Sequence, residues 1–308
     1  MSAMGSRSGY VFTSLTTEIG NKSSPLRQHL DARFPNRRPL QAEFKGSAGQ
    51  LLVDSAGANP GSLGAAFDFM VRMILDPSHV PLVALQGIRP GSRMLNAVLD
   101  VVAVAQRAAI RSRDGRAAEE LIRACWLFAL TTEVYRTGLR PGSPLMVLES
   151  RASVSADLLL GLAPDAAVEE MQELHLLAVE HLYPRVPVGA SLALGPTFAG
   201  SELCNADADL IFGGCLLDIK TRLGDKTARG RSDGVSLQDL YQLLGYVLFD
   251  RPDEFGIEQV GIYSARYAHL VIWPIDTFLA TLAGRPVDLA AERELTWALL
   301  QGRPSPTG

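Results

Sequence analysis

The pair Gly213-Gly214 limits what this chain can fold into more than any other feature. Short β-prone apolar runs flank it, Leu-Ile-Phe before and Cys-Leu-Leu after. Two adjacent glycines in that setting predict a two-residue hairpin turn, because such a turn needs positive φ at both positions. The turn sets the register. Phe212 is expected to face Cys215, Ile211 to face Leu216, Leu210 to face Leu217, Asp209 to face Asp218, and Asp207 to face Lys220. Side chains alternate along a strand, which puts Asp207, Asp209, Asp218 and Lys220 on one face. Ala208, Leu210, Phe212, Cys215, Leu217 and Ile219 fall on the other.

Directly opposed like charges weaken a ladder, so Asp209 and Asp218 require a neutralising group. A divalent cation held by both is the simplest. Magnesium suits such a site, because it binds through one or two carboxylates, keeps several waters and takes further oxygens from a phosphate; manganese is the alternative. Lys220 is expected either to hold a scissile phosphate or to orient and activate the attacking water, and other cations nearby can lower a lysine pKa. The implied chemistry is phosphodiester hydrolysis. The competing reading is a solvated hairpin with an ordinary ion pair between Asp207 and Lys220.

A second motif follows. Ser236 is a good N-cap, with an acid, Asp239, three residues on, so a helix is predicted from there. Gln242 and Tyr246 share one face of it by their i, i+4 spacing. Leu237, Leu240, Leu244 and Val247 form an apolar stripe for packing against a sheet.

An Asp on one strand, Asp-x-Lys on the next and Gln-x-x-x-Tyr on the following helix resemble the PD-(D/E)xK nuclease superfamily in its RecB-like branch. The resemblance covers chiefly 164–274, with a faint extension over 64–68. It implies an α/β (α+β) fold of the restriction-endonuclease type, a mixed sheet flanked by helices, and a magnesium-dependent nuclease acting on nucleic acid, DNA foremost, in repair or defence. By the same resemblance Asp209 and Asp218 bind the metal, Lys220 is catalytic, and Gln242 and Tyr246 position the substrate or the lysine. The branch often carries Gly-x-x-x-His on an early helix, its His helping to hold metal. Here Gly64 is followed at that spacing by Asp68, which becomes either a third metal ligand or a first-turn acid favouring the helix dipole. Glu173 and Glu180 are alternative sources of that acid. A function of another class also fits the scaffold: a nucleic-acid-binding or regulatory protein that has lost turnover.

A net charge of −4 and a pI near 5.8 argue against a general nucleic-acid coat, which relies on many Lys and Arg. An enzyme needs only a local basic strip. Arg222, Lys226, Arg229 and Arg231, opposed by Asp225 alone and interspersed with Gly224, Gly230 and Gly234, read as a mobile basic loop that touches substrate. A second basic stretch runs through Lys45, with Lys or Arg at 7, 22, 27, 33, 37, 38 and 45 against acids at 18, 31 and 43. Cys125, Cys204 and Cys215 are too few for a disulfide framework or a four-thiolate cluster. No apolar run approaches the roughly 20 residues that cross a bilayer, and the first residues lack the apolar centre of a signal peptide. A cytoplasmic protein with no membrane partner is expected.

Other chemistries find little support. No Gly-x-x-x-x-Gly-Lys-Ser/Thr loop or His-Glu-x-x-His is present. Residues 230–234 match Gly-x-Ser-x-Gly, but a nucleophile elbow needs a strand running straight into the serine, and a polar basic loop precedes Ser232. His175 and His181 lack a metal-ligating neighbour at the usual spacing.

Periodicity predicts helices over 24–34, 65–75, 92–138 with a break at Asp114-Gly115, 164–183, 277–283 and 289–300, and a weaker one over 145–162. Strands are predicted over 187–194, 260–264 and 270–273. Residues up to about 24 are expected to fray. The chain thus divides into a helical region, 1–163, whose 64–68 segment is assignable to the core, and a nuclease-like core, 164–308.

Overall fold

A computed structural model describes residues 10–302 except 114, 140, 150–152 and 229, and the side chains of 147 and 149 are also outside it. The Gly-Gly turn forms as expected. Strands β2 (Leu210–Phe212) and β3 (Cys215–Lys220) pair antiparallel in the predicted register, Phe212 with Cys215, Ile211 with Leu216 and Leu210 with Leu217. Gly213 and Gly214 have φ of 50° and 77°. A side chain would strain both positions, and a Cβ on Gly214 would sit 3.0 Å from the Gly256 carbonyl.

This hairpin is the centre of a five-stranded mixed sheet. β1 (Leu192–Leu194) adds antiparallel to β2, β6 (Gln259–Ser264) lies parallel to β3, and β7 (His269–Pro274) is antiparallel to β6. A separate two-stranded ribbon, β4 (Asp225–Thr227) with β5 (Gly230–Ser232), hydrogen-bonds to neither edge. The segment read as a mobile loop is therefore an ordered ribbon, Arg231 at its base donating to the Gly224 carbonyl at 3.2 Å.

Helices cover both faces, so β3 is buried almost throughout, as a two-sided strand must be. On one face Leu210, Phe212, Cys215, Leu217 and Ile219 join a core with α4 (Pro60–Leu75), α6 (Arg93–Arg111), α7 (Glu119–Thr137), α9 (Ala156–Leu160) and α10 (Asp165–His181). On the other, Ile211 and Leu216 join α1 (Leu15–Gly20), α2 (Pro25–Arg33), α3 (Arg38–Ser47), α11 (Leu237–Phe249), α12 (Ile275–Ala283) and α13 (Leu289–Leu300). Two short helices, α5 (Leu82–Gln86) and α8 (Met146–Glu149), complete the set. The hairpin face expected to be charged is thus apolar near the turn, and its charges gather at the far end.

The largest departures lie at the N-terminus. Residues 15–20 form α1 rather than fraying, because an N-cap at Ser14, a local hydrogen-bond cluster and one tertiary contact replace the missing periodicity. The Glu18 carboxylate accepts from Tyr10 Oη (2.7 Å), Thr13 N (2.9 Å) and Ser24 Oγ (2.6 Å). Leu15 packs on Gly245, where a Cβ would lie 2.6 Å from its Cδ1. Helix α3 was also not anticipated, although Leu40 and Phe44, its two buried residues, stand at i, i+4. The weak 145–162 pattern resolves into α8 and α9, two short helices.

A buried ion pair anchors the C-terminal end of β3. Arg266, between β6 and β7, pairs with Glu170 of α10, and donates from Nε to the Thr221 carbonyl at 2.6 Å and from Nη1 to the Asp54 carbonyl at 2.9 Å. Glu170 also accepts from Ala56 N (2.7 Å) and Ala58 N (3.1 Å). Removing one partner of such a pair leaves a lone buried charge. Arg266→Leu is expected to cost about 3–5 kcal/mol in denaturant unfolding, and Arg266→Leu combined with Glu170→Leu to cost less than either single change. Additive losses would mean the two groups act independently.

Candidate active site

At the far end of β3 three elements converge: the chain entering β2, the end of β3 itself, and the first turns of α11. Asp209 lies one residue before β2. There the ladder stops, and the Asp209 carboxylate takes over, Oδ2 accepting from the Ile219 backbone N–H at 2.6 Å. The two acids flank the same stretch of β3 and feel each other: burial raises the Asp218 carboxyl first and Asp209's charge raises it further, to about 7, with Lys220 opposing. Asp209 is raised as well, by burial, against the pull of Lys220 and Arg72.

Asp207 does not reach Lys220. It bridges to Thr197 instead, and its carboxylate pairs with Arg136 of α7 at 2.9 Å. Pairing with the segment after β1, where Gly195 N donates to the Asp209 carbonyl at 3.0 Å, draws the chain away from β3.

Lys220 is held by a relay from α11. Its Nζ stands 2.7 Å from Asp218 Oδ2 and donates to Gln242 Oε1 at 2.9 Å, while Gln242 Nε2 donates to Tyr246 Oη at 2.7 Å. Tyr246 is buried and stacked on Phe198, ring centroids 5.6 Å apart. Burial, then the charges of Asp218 and Asp209, keep its phenol protonated. The helix forms as predicted, Ser236 Oγ accepting from Asp239 N and Asp239 Oδ2 from Ser236 N. Burial pulls the Lys220 pKa down, but Asp218, Asp239 and Asp209 outweigh it and hold the amine above the ordinary lysine value. Lys220 is therefore a cation.

Asp239, read from the sequence only as a capping residue, does more. Its carboxylate pairs with Arg222 through both oxygens, at 3.0 and 2.6 Å, and lies 3.8 Å from Lys220 Nζ. Burial would raise it; Arg222 overrides this and keeps it ionised. Arg222, expected on the substrate, is thus committed inward, also donating to the Gly234 carbonyl at 3.0 Å. An acid at N3 of a helix whose start lies beside a basic segment was the available signal.

Lys226 is exposed on the β4–β5 ribbon and Arg231 is half-buried at its base; Arg229 lies outside the described residues. Asp68 lies on α4, where Gly64 allows close packing on the end of β3: a Cβ there would come within 3.1 Å of Thr221 Oγ1. The Asp68 carboxylate meets Arg72, one turn on, at 2.5 and 3.0 Å. Burial raises its pKa, Arg72 opposes this, and Asp209 raises it again, to about 8. Glu173 and Glu180 are exposed on α10, Glu180 facing His181 at 3.6 Å, and neither reaches this cluster. Among the described residues no three His, Cys, Asp or Glu side chains form a ready cation cluster.

Asp218 Oδ2 is buried and meets Lys220 Nζ at 2.7 Å, with no other donor among the described residues. A buried carboxylate oxygen with free lone pairs beside a second carboxylate is the donor set a hard cation takes. Ser47, His269 and Asp233 also line up, with Ser47 Oγ 3.0 Å from Nε2 and Asp233 Oδ2 3.1 Å from Nδ1. Ser47 ends α3 and its Oγ lies 3.2 Å from the Glu43 and Phe44 carbonyls. The negative end of a helix disfavours an oxyanion there, so the trio pins the 233–236 segment rather than forming a nucleophile. Ser232, of the Gly-x-Ser-x-Gly match, ends β5 and turns its Oγ to the Asp233 carbonyl at 3.3 Å.

Compared with known proteins, the chain matches no family model, no curated protein and no solved structure. Among the described residues no helix is long and apolar enough to cross a membrane.

The carboxyl pKa values give a direction to stability. Asp218 and Asp68 sit near 7 and 8 in the fold against an ordinary 3.8, so the folded state binds more protons than the unfolded one between those values. Their contribution is complete below pH 3.8 and is lost as pH rises through about 7 to 8. Metal-free protein is expected to melt lower at about pH 8 than at about pH 6, and Asp218→Asn to reduce that difference. Thermal melts in chelator decide; an unchanged difference in the variant would refute the assignment.

Proposed function

We propose that the protein is a metal-dependent nuclease of the PD-(D/E)xK type, hydrolysing phosphodiester bonds of nucleic acid, DNA foremost, on a restriction-endonuclease-like fold. The observation that carries this reading is the convergence of Asp209, Asp218 and Lys220 at one end of β3, with Lys220 tied through Gln242 to Tyr246. Asp209 and Asp218 would hold magnesium, or manganese in its place. The ion would supply Lewis-acid activation of water and charge for the phosphate.

The chain's own groups have definite tasks. Lys220, kept charged by three carboxylates, supplies a fixed ammonium for the phosphate oxygens or the incoming water. Gln242 fixes its direction. Tyr246, neutral and buried, fixes Gln242, and Asp239, held by Arg222, adds a second carboxylate 3.8 Å from the amine. Lys226 on the ribbon is free to meet the polynucleotide backbone, and Arg231 supports the ribbon's base. A binding protein on the same scaffold would be expected to have lost one of Asp209, Asp218 and Lys220, and all three are present.

The test is cleavage of linear and circular duplex DNA, single-stranded DNA and RNA with magnesium or manganese, against a chelator control. Asp218→Asn and Lys220→Met are each expected to lose at least about a hundredfold in rate, the scale of removing one electrostatic stabiliser. The exposed change Arg251→Ala should keep the rate. Equal cutting by all variants would reveal a contaminant, and retained binding without cutting by the wild type would favour the inactive reading.

A further inference from the structure

Arg72 pairs with the acid that the sequence offers as a third ligand of the proposed metal site. The sequence offers Asp68 for that role, yet the carboxylate is taken by the guanidinium of Arg72 at 2.5 and 3.0 Å, with both side chains largely buried. Arg72 has little room to leave. It is 8% exposed, lies over the Phe69 ring at 5.7 Å, and packs so closely on Gly195 that a Cβ there would collide with it. Gly195 in turn is bonded to Asp209, its N–H donating to that carbonyl at 3.0 Å. The same guanidinium feels the charges of Asp209 and Asp207.

The charges of the pocket can be counted by group. Asp239 is matched by Arg222 and Asp207 by Arg136, which leaves Asp68, Asp209 and Asp218, counted in the ionised forms that cation binding demands, against Lys220 and Arg72. One divalent ion turns that excess of one negative charge into an excess of one positive charge, suited to a phosphodiester. A second ion would meet two fixed cations in a buried space, where like charges repel strongly.

We propose that Arg72 is a built-in counter-cation that withdraws Asp68 from the metal site and restricts the pocket to a single divalent ion. This rests on the reading of Asp209 and Asp218 as the ion's ligands. Arg72 is a positioning residue here, setting how many ions bind and how tightly.

The experiment is titration of the full-length protein with Mn²⁺, followed by electron paramagnetic resonance and repeated with Mg²⁺ by calorimetry, thermal melts confirming that each variant folds. Wild type should bind one ion, and Asp218→Asn should weaken it about tenfold or more. Arg72→Gln frees Asp68 and should tighten binding about fivefold or more, with a second ion taken up. The decisive variant combines Asp68→Asn with Arg72→Gln, replacing a neutral pair by a neutral pair without leaving a lone buried charge. It should bind one ion within about threefold of wild type.

Two ions in wild type, a tenfold loss in the double variant, or no tightening in folded Arg72→Gln would each overturn the proposal. If Arg72→Gln does not fold, the double variant alone decides. A wild type that binds no ion, or binds it no better than Asp218→Asn does, would remove the ligand reading and this proposal with it. Loss in both Asp218→Asn and the double variant would sink only this proposal.

Discussion

Three carboxylates brought into one largely buried corner, with two fixed cations among them, are the constraint around which this molecule is built. Burial alone pushes Asp68, Asp209 and Asp218 toward their neutral forms, and charge left unmatched in such a place is costly. The fold answers from both sides of the sheet. Arg72 comes from the α4 layer, and Lys220 comes from the strand itself, steadied by the α11 layer. Neither layer alone would make the corner tolerable.

Much of this was legible in the chain. Gly213-Gly214 announced the hairpin and its register, because turn chemistry acts over two residues and needs no distant partner. The capping box of Ser236 and Asp239 announced α11 for the same reason, and i, i+4 spacing put Gln242 and Tyr246 side by side. Long periodic helices such as α6 and α10 were equally plain.

What stayed hidden depends on tertiary contact. Helix α1 is one short turn-and-a-half, capped by Ser14 and stabilised by Glu18 and by Leu15 against Gly245, and it is too short to show a period. The ladder was expected to run on to Asp207, but competition from the segment after β1 ended it at Leu210. Asp68 looked like a ligand because spacing along a helix is visible in sequence, whereas its pairing with Arg72 is a matter of three-dimensional packing. Arg222 likewise seemed free until Asp239 was found beside it. Motif positions were readable; the pairing of charges among them was not.

The parallel union of β3 with β6 has a bearing on how the protein is made. It spans the β4–β5 ribbon and α11, so it must be among the later contacts to close, while the β2–β3 turn can close within microseconds. On the ribosome, synthesis runs from the N-terminus, and the guanidinium-bearing layer precedes both hairpin acids. Those acids therefore leave the exit tunnel toward a waiting positive group, ahead of the glutamine that will steady their lysine.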